Sequence, residues 1–381
     1  MEVATYIRSG IGTLAVFLAV LAACASPASS QSKPGSDVPQ IDIPALALRA
    51  SLLAAHKAMV DQYVKYWVAK MVDAKSDKEL LDGRTGLVAG YRKYDSTRYQ
   101  MYYAEQAIKA MSPLLTSEDP RKQVNAGIVI SGMRQVAIQP ALETMVKSPN
   151  PALRFYGWRG YQRIRMWVLA QGRDSVGQMM SSLVAAAAHE TSAPVLKELF
   201  KMLWLEPDRP SMVSEQEFEQ TRLRLFGIAR DTWPRMCRGV LGRDADLSDA
   251  SREGLLTLRA IYESLGSNKE VQQAVMQMVV DMMWCAAKSY SELDIANPVF
   301  GIDESLLRDS EAAMNAITKL RKTPMDEALA SKGEEDRRLA VRVAVQTWIR
   351  GLENAGFPVS EPTRFGSAAT NPPATSGSPA E

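Results

Sequence analysis

LTSEDPRKQVNAGIVISGMRQVAIQPALETMVKSPNPALR, residues 115–154, is the stretch that decides the fold of this chain. Asp119-Pro120 and Asn150-Pro151 each place a short polar side chain directly before a proline. Such side chains cap the first free amides of a helix, and proline is well tolerated at the first helical position. Between the two pairs, apolar residues recur every three or four positions, which is the helical period. The stretch therefore predicts two helices joined by a short turn, followed by the start of a third helix.

The same stretch resembles a unit of the HEAT-repeat family. In that family a first helix begins after an Asp-Pro pair, a second helix carries Pro-x-Leu, and the next unit restarts with Asn-Pro or Asp-Pro. Here those positions hold Asp119-Pro120, Pro140-Ala141-Leu142 and Asn150-Pro151-Ala152-Leu153-Arg154. The resemblance implies an all-α fold, a HEAT-like or armadillo-type α-solenoid of stacked helical hairpins.

The spacing of the prolines that start helices supports a repeat. Pro120 and Pro151 are 31 residues apart, and Pro151 and Pro194 are 43 residues apart, which brackets the usual period of helical solenoids. The clearest repeats span 115–204. Because the strict period is lost after Trp204, a tetratricopeptide-like or irregular helical array remains open for the flanks.

The remainder of 45–357 also predicts helices, because strand-like alternation is scarce and helix starts recur. Three capping boxes and one further proline start mark these helices: Ser76–Glu79, Ser214–Glu217, Ser267–Glu270 and Thr323-Pro324. We therefore expect one helical domain across 45–357.

Residues 151–170 indicate how the hairpins pack. One stripe of this predicted helix holds leucine, isoleucine and two glycines, which let a neighbouring helix approach closely: Leu153, Gly157, Gly160 and Ile164. A single hairpin cannot bury both of its faces, so it needs a neighbour on each side. We expect a core shared between hairpins that contains Leu142, Leu153, Ile164 and Leu199.

The N-terminus carries an apolar run, Ile11 to Ala23, that is too short to span a bilayer and is typical of a secretory signal. Leu21-Ala22-Ala23-Cys24 resembles the lipobox of bacterial lipoproteins. The resemblance implies a signal peptide at 1–23, lipidation of Cys24 and attachment to the membrane through that lipid. Ala25 directly after the cysteine resembles the sorting signal of outer-membrane lipoproteins. It implies that the protein is attached to the outer membrane and faces the periplasm. An ordinary secretory signal cleaved after Ala25 or Ala28 is the alternative.

Two segments lack helical periodicity and are rich in Ser, Pro, Ala and Gly. Residues 24–44 are expected to form a flexible tether, and residues 358–381 a disordered tail. Neither holds enough large apolar side chains to offset the entropy of ordering it.

The chain is nearly neutral, with 45 Lys and Arg against 43 Asp and Glu. Long-range attraction to nucleic acid is therefore not supported, and no nucleic-acid partner is expected. Besides Cys24 the chain has two cysteines, Cys237 and Cys285. An oxidising envelope compartment permits a bridge between them, but their apolar helical surroundings favour two buried thiols.

Catalytic and metal-binding motifs are missing from the sequence. There is no Gly-x-Ser-x-Gly elbow, no glycine-rich phosphate loop and no His-Glu-x-x-His, and His56 and His189 are the only histidines. Asp244–Asp249 lacks the glycine and glutamate of a calcium loop and predicts a polar turn before a helix. We therefore predict no metal and no cofactor. Four methionines have mixed helical spacing that favours a core helix: Met276, Met278, Met282 and Met283.

Two segments that combine arginine with aromatic residues are the candidate binding sites. The first, 91–103, contains Tyr91, Arg98 and Tyr99. The second follows one helical face, which we expect to be partly exposed and opposite the glycine stripe: Arg154, Trp158, Tyr161 and Arg165. Arginine and aromatic side chains are typical anchors of protein interfaces. Alternatively, the rings pack between solenoid helices while the arginine stems lie over them.

The sequence favours a lipid-anchored envelope solenoid that acts as a non-enzymatic protein-binding or scaffold module, with envelope proteins as partners. Two other classes remain open. One is an all-α enzyme whose carboxylates come from distant helices, and the other is a module that binds cell-wall glycan through the Tyr/Arg segments.

Overall fold

The computed structural model describes residues 38–49, 51–265, 267–293, 297, 299–331 and 333–362. Cys24 and the predicted signal peptide lie outside these ranges, as do most of the predicted tether and the tail after Pro362. Every helix described below lies in a single unit, Gln40–Glu381.

The described part of the chain contains helices and no strand, as the sequence predicted. A short 3-10 turn spans Val136–Ile138. The helices are α1 Ala45–Arg49, α2 Ala54–Asp73, α3 Asp77–Arg92, α4 Thr97–Leu115, α5 Pro120–Gly132, α6 Gln139–Val146, α7 Pro151–Ala170, α8 Arg173–His189, α9 Ala193–Met202, α10 Glu215–Leu241, α11 Ala245–Ser264, α12 Lys269–Glu292, α13 Val299–Thr318, α14 Pro324–Leu329 and α15 Glu334–Asn354.

The predicted caps start the helices of the first repeat. The Asp119 side chain accepts a hydrogen bond from the backbone N–H of Arg121 (2.9 Å) at the start of α5. The Asn150 side chain does the same for Ala152 (3.0 Å) at the start of α7. Both helices then begin with a proline, so the chain direction on entry to each is set by the local sequence.

Two predicted starts differ in detail. At α12 the capping side chain is Asn268, one residue after the predicted Ser267, because the Asn268 amide oxygen reaches two backbone N–H groups. At α14 the Thr323 side chain makes no capping bond, and the buried carboxylate of Glu311 accepts from the N–H groups of Met325 (2.8 Å) and Asp326 (3.0 Å) instead.

The helices lie in two rows, which is the arrangement of an α-solenoid. In one row α3, α5, α7, α9, α11 and α13 each contact the next, and in the other α2, α4, α6, α8, α10, α12 and α15 do so. Consecutive helices such as α6 and α7 connect the rows. Each helix is therefore buried by its neighbours along the chain, as stacked hairpins require.

The predicted core of the central repeats is confirmed. Leu142, Leu153 and Ile164 are fully buried, and Leu199 is 2% exposed. A β-carbon added at Gly160 would lie 2.5 Å from Leu142 Cδ2. The glycine therefore sets how closely α6 can approach α7.

The packed domain extends beyond the predicted limits of 45–357. At its N-terminal end Ile41 and Ile43 are buried, and the Tyr94 hydroxyl accepts from the N–H of Ile43 (2.9 Å). At its C-terminal end Val359 is buried, and the residues that follow it hydrogen-bond to helix side chains. Isolated apolar residues among polar ones gave no periodic signal, which is why composition alone placed these ends in the tether and the tail.

The cysteines and methionines lie in the core. Cys237 and Cys285 form no disulfide with each other and have no exposed surface, so the structure supports two buried thiols. The four methionines of α12 are also buried, as predicted. Within the described ranges, no helix combines the length and apolar character needed to cross a membrane.

One buried carboxyl stands out on α13. Asp303 has no exposed surface, and neither of its oxygens has a hydrogen bond of normal geometry among the described residues. Burial raises the pKa of Asp303 to about 7, and the nearby Ser289 hydroxyl and Arg243 guanidinium lower it only in part. The ionised form is therefore destabilising in the folded chain.

We expect Asp303→Asn to stabilise the protein at alkaline pH. The Asp303 pKa is higher in the folded chain than in the unfolded chain, so wild-type stability falls as the pH rises from about 4 to about 7. Urea unfolding at several pH values should show the variant gaining most above pH 7 and nothing near pH 4. A gain that is independent of pH would contradict this assignment.

Two glycines provide a matched test of the close helix contact. A β-carbon at Gly157 would lie 2.8 Å from Val146 Cγ1 and 3.0 Å from its backbone nitrogen, whereas one at Gly177 on α8 would meet nothing within 4 Å. Gly157→Ala should cost about 1–3 kcal/mol, because the α6 backbone must move. Gly177→Ala should stabilise by about 0.5–1 kcal/mol. Equal effects on the urea midpoint would refute the contact.

Candidate functional site

The face predicted on α7 lies in the interior. Trp158 and Tyr161 have no exposed surface, Arg165 is 7% exposed, and Arg154 is half-buried. The expectation of a partly exposed face is therefore wrong for Trp158, Tyr161 and Arg165. With 3.6 residues per turn, these residues are centred about 100° from the glycine stripe and not opposite it. Because α7 contacts α5, α6, α8 and α9, its buried arc is wide enough to include them.

Arg154 joins two loops. Its guanidinium forms a bidentate ion pair with the Glu190 carboxylate (2.6 and 2.9 Å) and also donates to the carbonyls of Ser148 and Pro149, both at 2.9 Å. The pKa of Glu190 is lowered, because the hydrogen bonds from Arg154 and from the amides that follow outweigh the cost of burial. Arg154 thus holds the turn before α7 against the loop before α9.

Arg165 closes the C-terminal end of α9. Its guanidinium donates to the carbonyls of Lys201 and Trp204, both at 2.9 Å, and to the Glu206 carboxylate at 3.2 Å. Carbonyls at a helix C-terminus have no partner within the helix, so a cation there satisfies them. In this structure the two predicted arginines of α7, Arg154 and Arg165, therefore link one repeat to the next.

Tyr161 belongs to a buried polar network. Its hydroxyl donates to the Glu143 carboxylate of α6, which also accepts from the Ser182 hydroxyl of α8 (2.6 Å) and pairs with Lys147 (3.2 Å). Burial, followed by the neighbouring Glu143 carboxylate, raises the pKa of Tyr161 well above its ordinary value. The network connects three helices.

The other predicted segment is also mostly packed. Tyr99 is fully buried and donates to the carbonyl of Gly90 (2.6 Å), and Tyr91 is 7% exposed and accepts from the backbone N–H of Arg134 (3.0 Å). Arg98 is exposed. For the two tyrosines, the structure supports the alternative in which rings pack between helices.

A second stripe of α7 also combines two arginines with two aromatic residues but occupies a different, more exposed face. Phe155, Arg159, Arg163 and Trp167 follow one another at intervals of four residues. Arg163 and Trp167 are exposed, Trp167 by 46%, while Phe155 and Arg159 are half-buried. The Arg159 guanidinium lies over the Phe155 ring at 5.9 Å from its centroid. The stripe thus places two cations between two aromatic rings.

Two further arginines complete a cluster beside this stripe. Arg92 is the last residue of α3, and Arg134 directly follows the C-cap of α5; both are exposed. We call Arg92, Arg134, Arg159 and Arg163 the arginine face. Among the described residues, none of these four guanidinium groups forms an ion pair with a carboxylate. The face therefore carries four positive charges, none of which is in an ion pair within the described part of the chain.

Arg163 lies close enough to the other three guanidinium groups to feel their charges. The pKa of Arg163 is lowered, first by burial and then by the charges of Arg159, Arg134 and Arg92, while Glu198 acts in the opposite direction. Arg163 stays protonated at neutral pH, because its pKa starts far above 7. Its guanidinium donates to the carbonyl of Ser131 (2.7 Å) at the end of α5, which holds the charge in place. The arrangement suits a bidentate partner such as a carboxylate.

The sequence contained a helical pattern that could have indicated this site, but the prediction chose the other face of α7. The spacing 155, 159, 163 and 167 was readable, but both this stripe and the predicted one lie about 100° from the glycine stripe, on opposite sides. The helical period cannot tell which of those two sides the next hairpin covers. Arg92 and Arg134 are distant in sequence and join the cluster only through the fold.

Comparison with known proteins finds matches among solved structures only. No protein family and no curated protein matches the sequence. Among solved structures, the chain is similar to two crystal structures of Kap121p, one of them a mutant, each with a TM-score of 0.36 and 12% sequence identity. The match covers 81% of this chain and 33% of Kap121p, so the chain spans about a third of that protein.

Substitution of two tryptophans on α7 tests which face of the helix is buried and which is exposed. Trp158→Ala should cost about 3–5 kcal/mol, because a large ring would leave the core. Trp167→Ala should cost far less, about 1 kcal/mol or below, because nearly half of Trp167 is exposed. Both values follow from urea unfolding of the full chain. A large loss at Trp167 with little at Trp158 would mean that α7 is rotated from the position described.

Proposed function

We propose that this chain is a lipid-anchored α-solenoid of the bacterial cell envelope that acts as a protein-binding scaffold. The arginine face is its docking site for an acidic segment of a partner protein. The observation that carries the proposal is the set of four clustered guanidinium groups without carboxylate partners, flanked by the exposed Trp167.

The energetics of the cluster support a binding role. Arg159 and Arg163 are four residues apart on one helix, where like charges repel and lower helix stability. Elsewhere in the structure arginines such as Arg154 have carboxylate partners, so the fold can supply them. Carboxylates of a partner would relieve the repulsion and form charge-assisted hydrogen bonds. Arginine and tryptophan are also the residues enriched among interface hot spots.

The envelope location rests on the sequence. The lipobox-like Leu21-Ala22-Ala23-Cys24 supports a lipid anchor, and Ala25 supports an outer-membrane position facing the periplasm. A lipidated module that carries a docking face fits a scaffold that recruits a partner to the membrane. The absence of catalytic motifs from the sequence supports a non-enzymatic role.

Charge reversal tests the docking site. Arg159→Glu with Arg163→Glu should abolish capture of partner proteins from solubilised membranes, because the carboxylates of the partner would then be repelled. The matched control is Lys78→Glu with Arg224→Glu, which reverses two exposed cations on α3 and α10. Circular dichroism and the urea midpoint should match between the two double variants.

Three outcomes of that experiment are decisive. Loss of a captured protein in the first double variant alone supports the docking site. Equal capture by both variants, or an unfolded first variant beside a folded Arg159→Gln, Arg163→Gln variant that still captures the same protein, contradicts it. Capture should also weaken with added salt, since exposed charges are screened.

The anchor is tested separately. Cys24→Ser should release the protein from the membrane fraction, since no other segment of the sequence is expected to hold it there. Metabolic labelling with a fatty acid should mark the parent and not the variant. A Cys24→Ser protein that stays in the membrane fraction would contradict the lipid anchor and leave the docking site unaffected.

A further inference from the structure

A basic groove lies far along the chain from the arginine face, between α15 and the turn 319–323. It has a volume of about 580 Å³. Two adjacent stripes of α15 and one residue of the turn line it: Arg342, Val343, Gln346, Thr347, Arg350, Gly351, Asn354 and Lys322. With a rise of 1.5 Å per residue, the α15 wall is about 18 Å long. These dimensions suit a small ligand.

Two hydrogen bonds with the Asn315 side chain hold the backbone of Lys322 at the edge of the groove. The Asn315 side-chain amide donates to the Lys322 carbonyl (2.6 Å), and its oxygen accepts from the Lys322 N–H (2.8 Å). These two bonds fix the Lys322 backbone against the end of α13. The ammonium group therefore starts from a defined position.

The turn that carries Lys322 has an unfavourable backbone conformation. Lys319 (φ 61°) and Arg321 (φ 53°) lie in the left-handed region, which residues with a β-carbon rarely adopt. Conformations of this kind persist where the surrounding structure fixes them, and they concentrate at binding sites.

Gly351 makes room for the ammonium group. A β-carbon at this position would lie 3.0 Å from Lys322 Nζ. The side chain of Lys322 therefore crosses the α15 wall at its one glycine, and its charge faces the groove that Arg342 and Arg350 also line.

The three cations of the groove have no anionic partner within the described residues. None of Lys322, Arg342 and Arg350 forms an ion pair. One carboxylate, Glu361, is hydrogen-bonded to a lining residue, and it accepts from the side chains of Gln346 (3.3 Å) and Trp284 (3.0 Å). The groove is thus a positively charged site with free donors.

We propose that this groove binds a small phosphate-bearing ligand. Three cations around a cavity of this size match a compact, multiply charged anion, and a guanidinium group donates to two phosphate oxygens at once. The Asn354 side chain supplies donors and an acceptor for hydroxyl groups attached to the phosphate. The Thr347 hydroxyl donates to the Val343 carbonyl (2.9 Å) and the Gln346 amide donates to Glu361, so these two side chains contribute mainly acceptor oxygens. The site is separate from the arginine face and does not depend on the proposed function.

Calorimetric titration of the full chain in detergent tests the proposal. The probes are inorganic pyrophosphate and short-chain phosphatidylglycerol, which separate a free phosphate compound from a lipid headgroup, and an acidic peptide as a third arm. Lys322→Ala, Arg342→Ala and Arg350→Ala should each weaken binding about tenfold or more, the loss typical of one charge-assisted contact. A charge-matched control removes exposed cations elsewhere: Lys78→Ala, Arg224→Ala and Lys269→Ala.

Gly351→Ala provides a second variant that keeps every charge. The added methyl group should displace Lys322 Nζ and weaken binding without lowering the urea midpoint, because the ammonium lies at the end of a flexible chain and alanine favours the helix more than glycine does. Binding of either phosphate probe that these variants reduce and the control does not supports the proposal. No binding of either probe, binding that the groove variants leave unchanged, or binding of the acidic peptide alone overturns it.

Discussion

The rest of the structure depends on the close contact between α6 and α7 at Gly157 and Gly160. Leu142 and Val146 of α6 occupy the space that β-carbons would take at these two positions. The contact fixes the rotation of α7 about its own axis. That rotation decides which side chains of α7 enter the core between repeats and which reach the solvent. The buried Trp158 and the exposed Trp167 are both consequences of it.

The arginines of α7 then divide by geometry into two groups. Arg154 and Arg165 face neighbouring repeats, where each satisfies backbone carbonyls and pairs with a carboxylate. Arg159 and Arg163 face outward beside Arg92 and Arg134 and have no such carboxylate. The same residue type therefore stabilises the stack on one side of the helix and forms a charged surface on the other. In a solenoid, where each repeat contacts only its neighbours, a side chain serves the stack or the surface according to its angle on the helix.

The sequence predicted the fold better than it predicted the site. Helix starts at Asp119 and Asn150 and the core position of Leu153 follow from local capping and the helical period, which act within a few residues. The exposed face of α7 depends on which side the next hairpin covers, and a single helix carries no information about that. The contribution of Arg134 to the cluster depends on contacts between helices distant in sequence. The ends of the domain were missed for a related reason, since Ile41 and Val359 are apolar residues in polar surroundings and become buried only through tertiary contacts.

Hydroxyl-radical footprinting of the native chain tests the central claim, which is the rotation of α7, most directly. Trypsin cleavage after Arg159 and Arg165 places Trp158 and Trp167 in different peptides, so mass spectrometry can follow their oxidation separately. The account predicts that Trp167 is oxidised much faster than Trp158 in the folded protein, and that the two rates become equal in urea. Equal rates in the folded protein, or faster oxidation of Trp158, would contradict it.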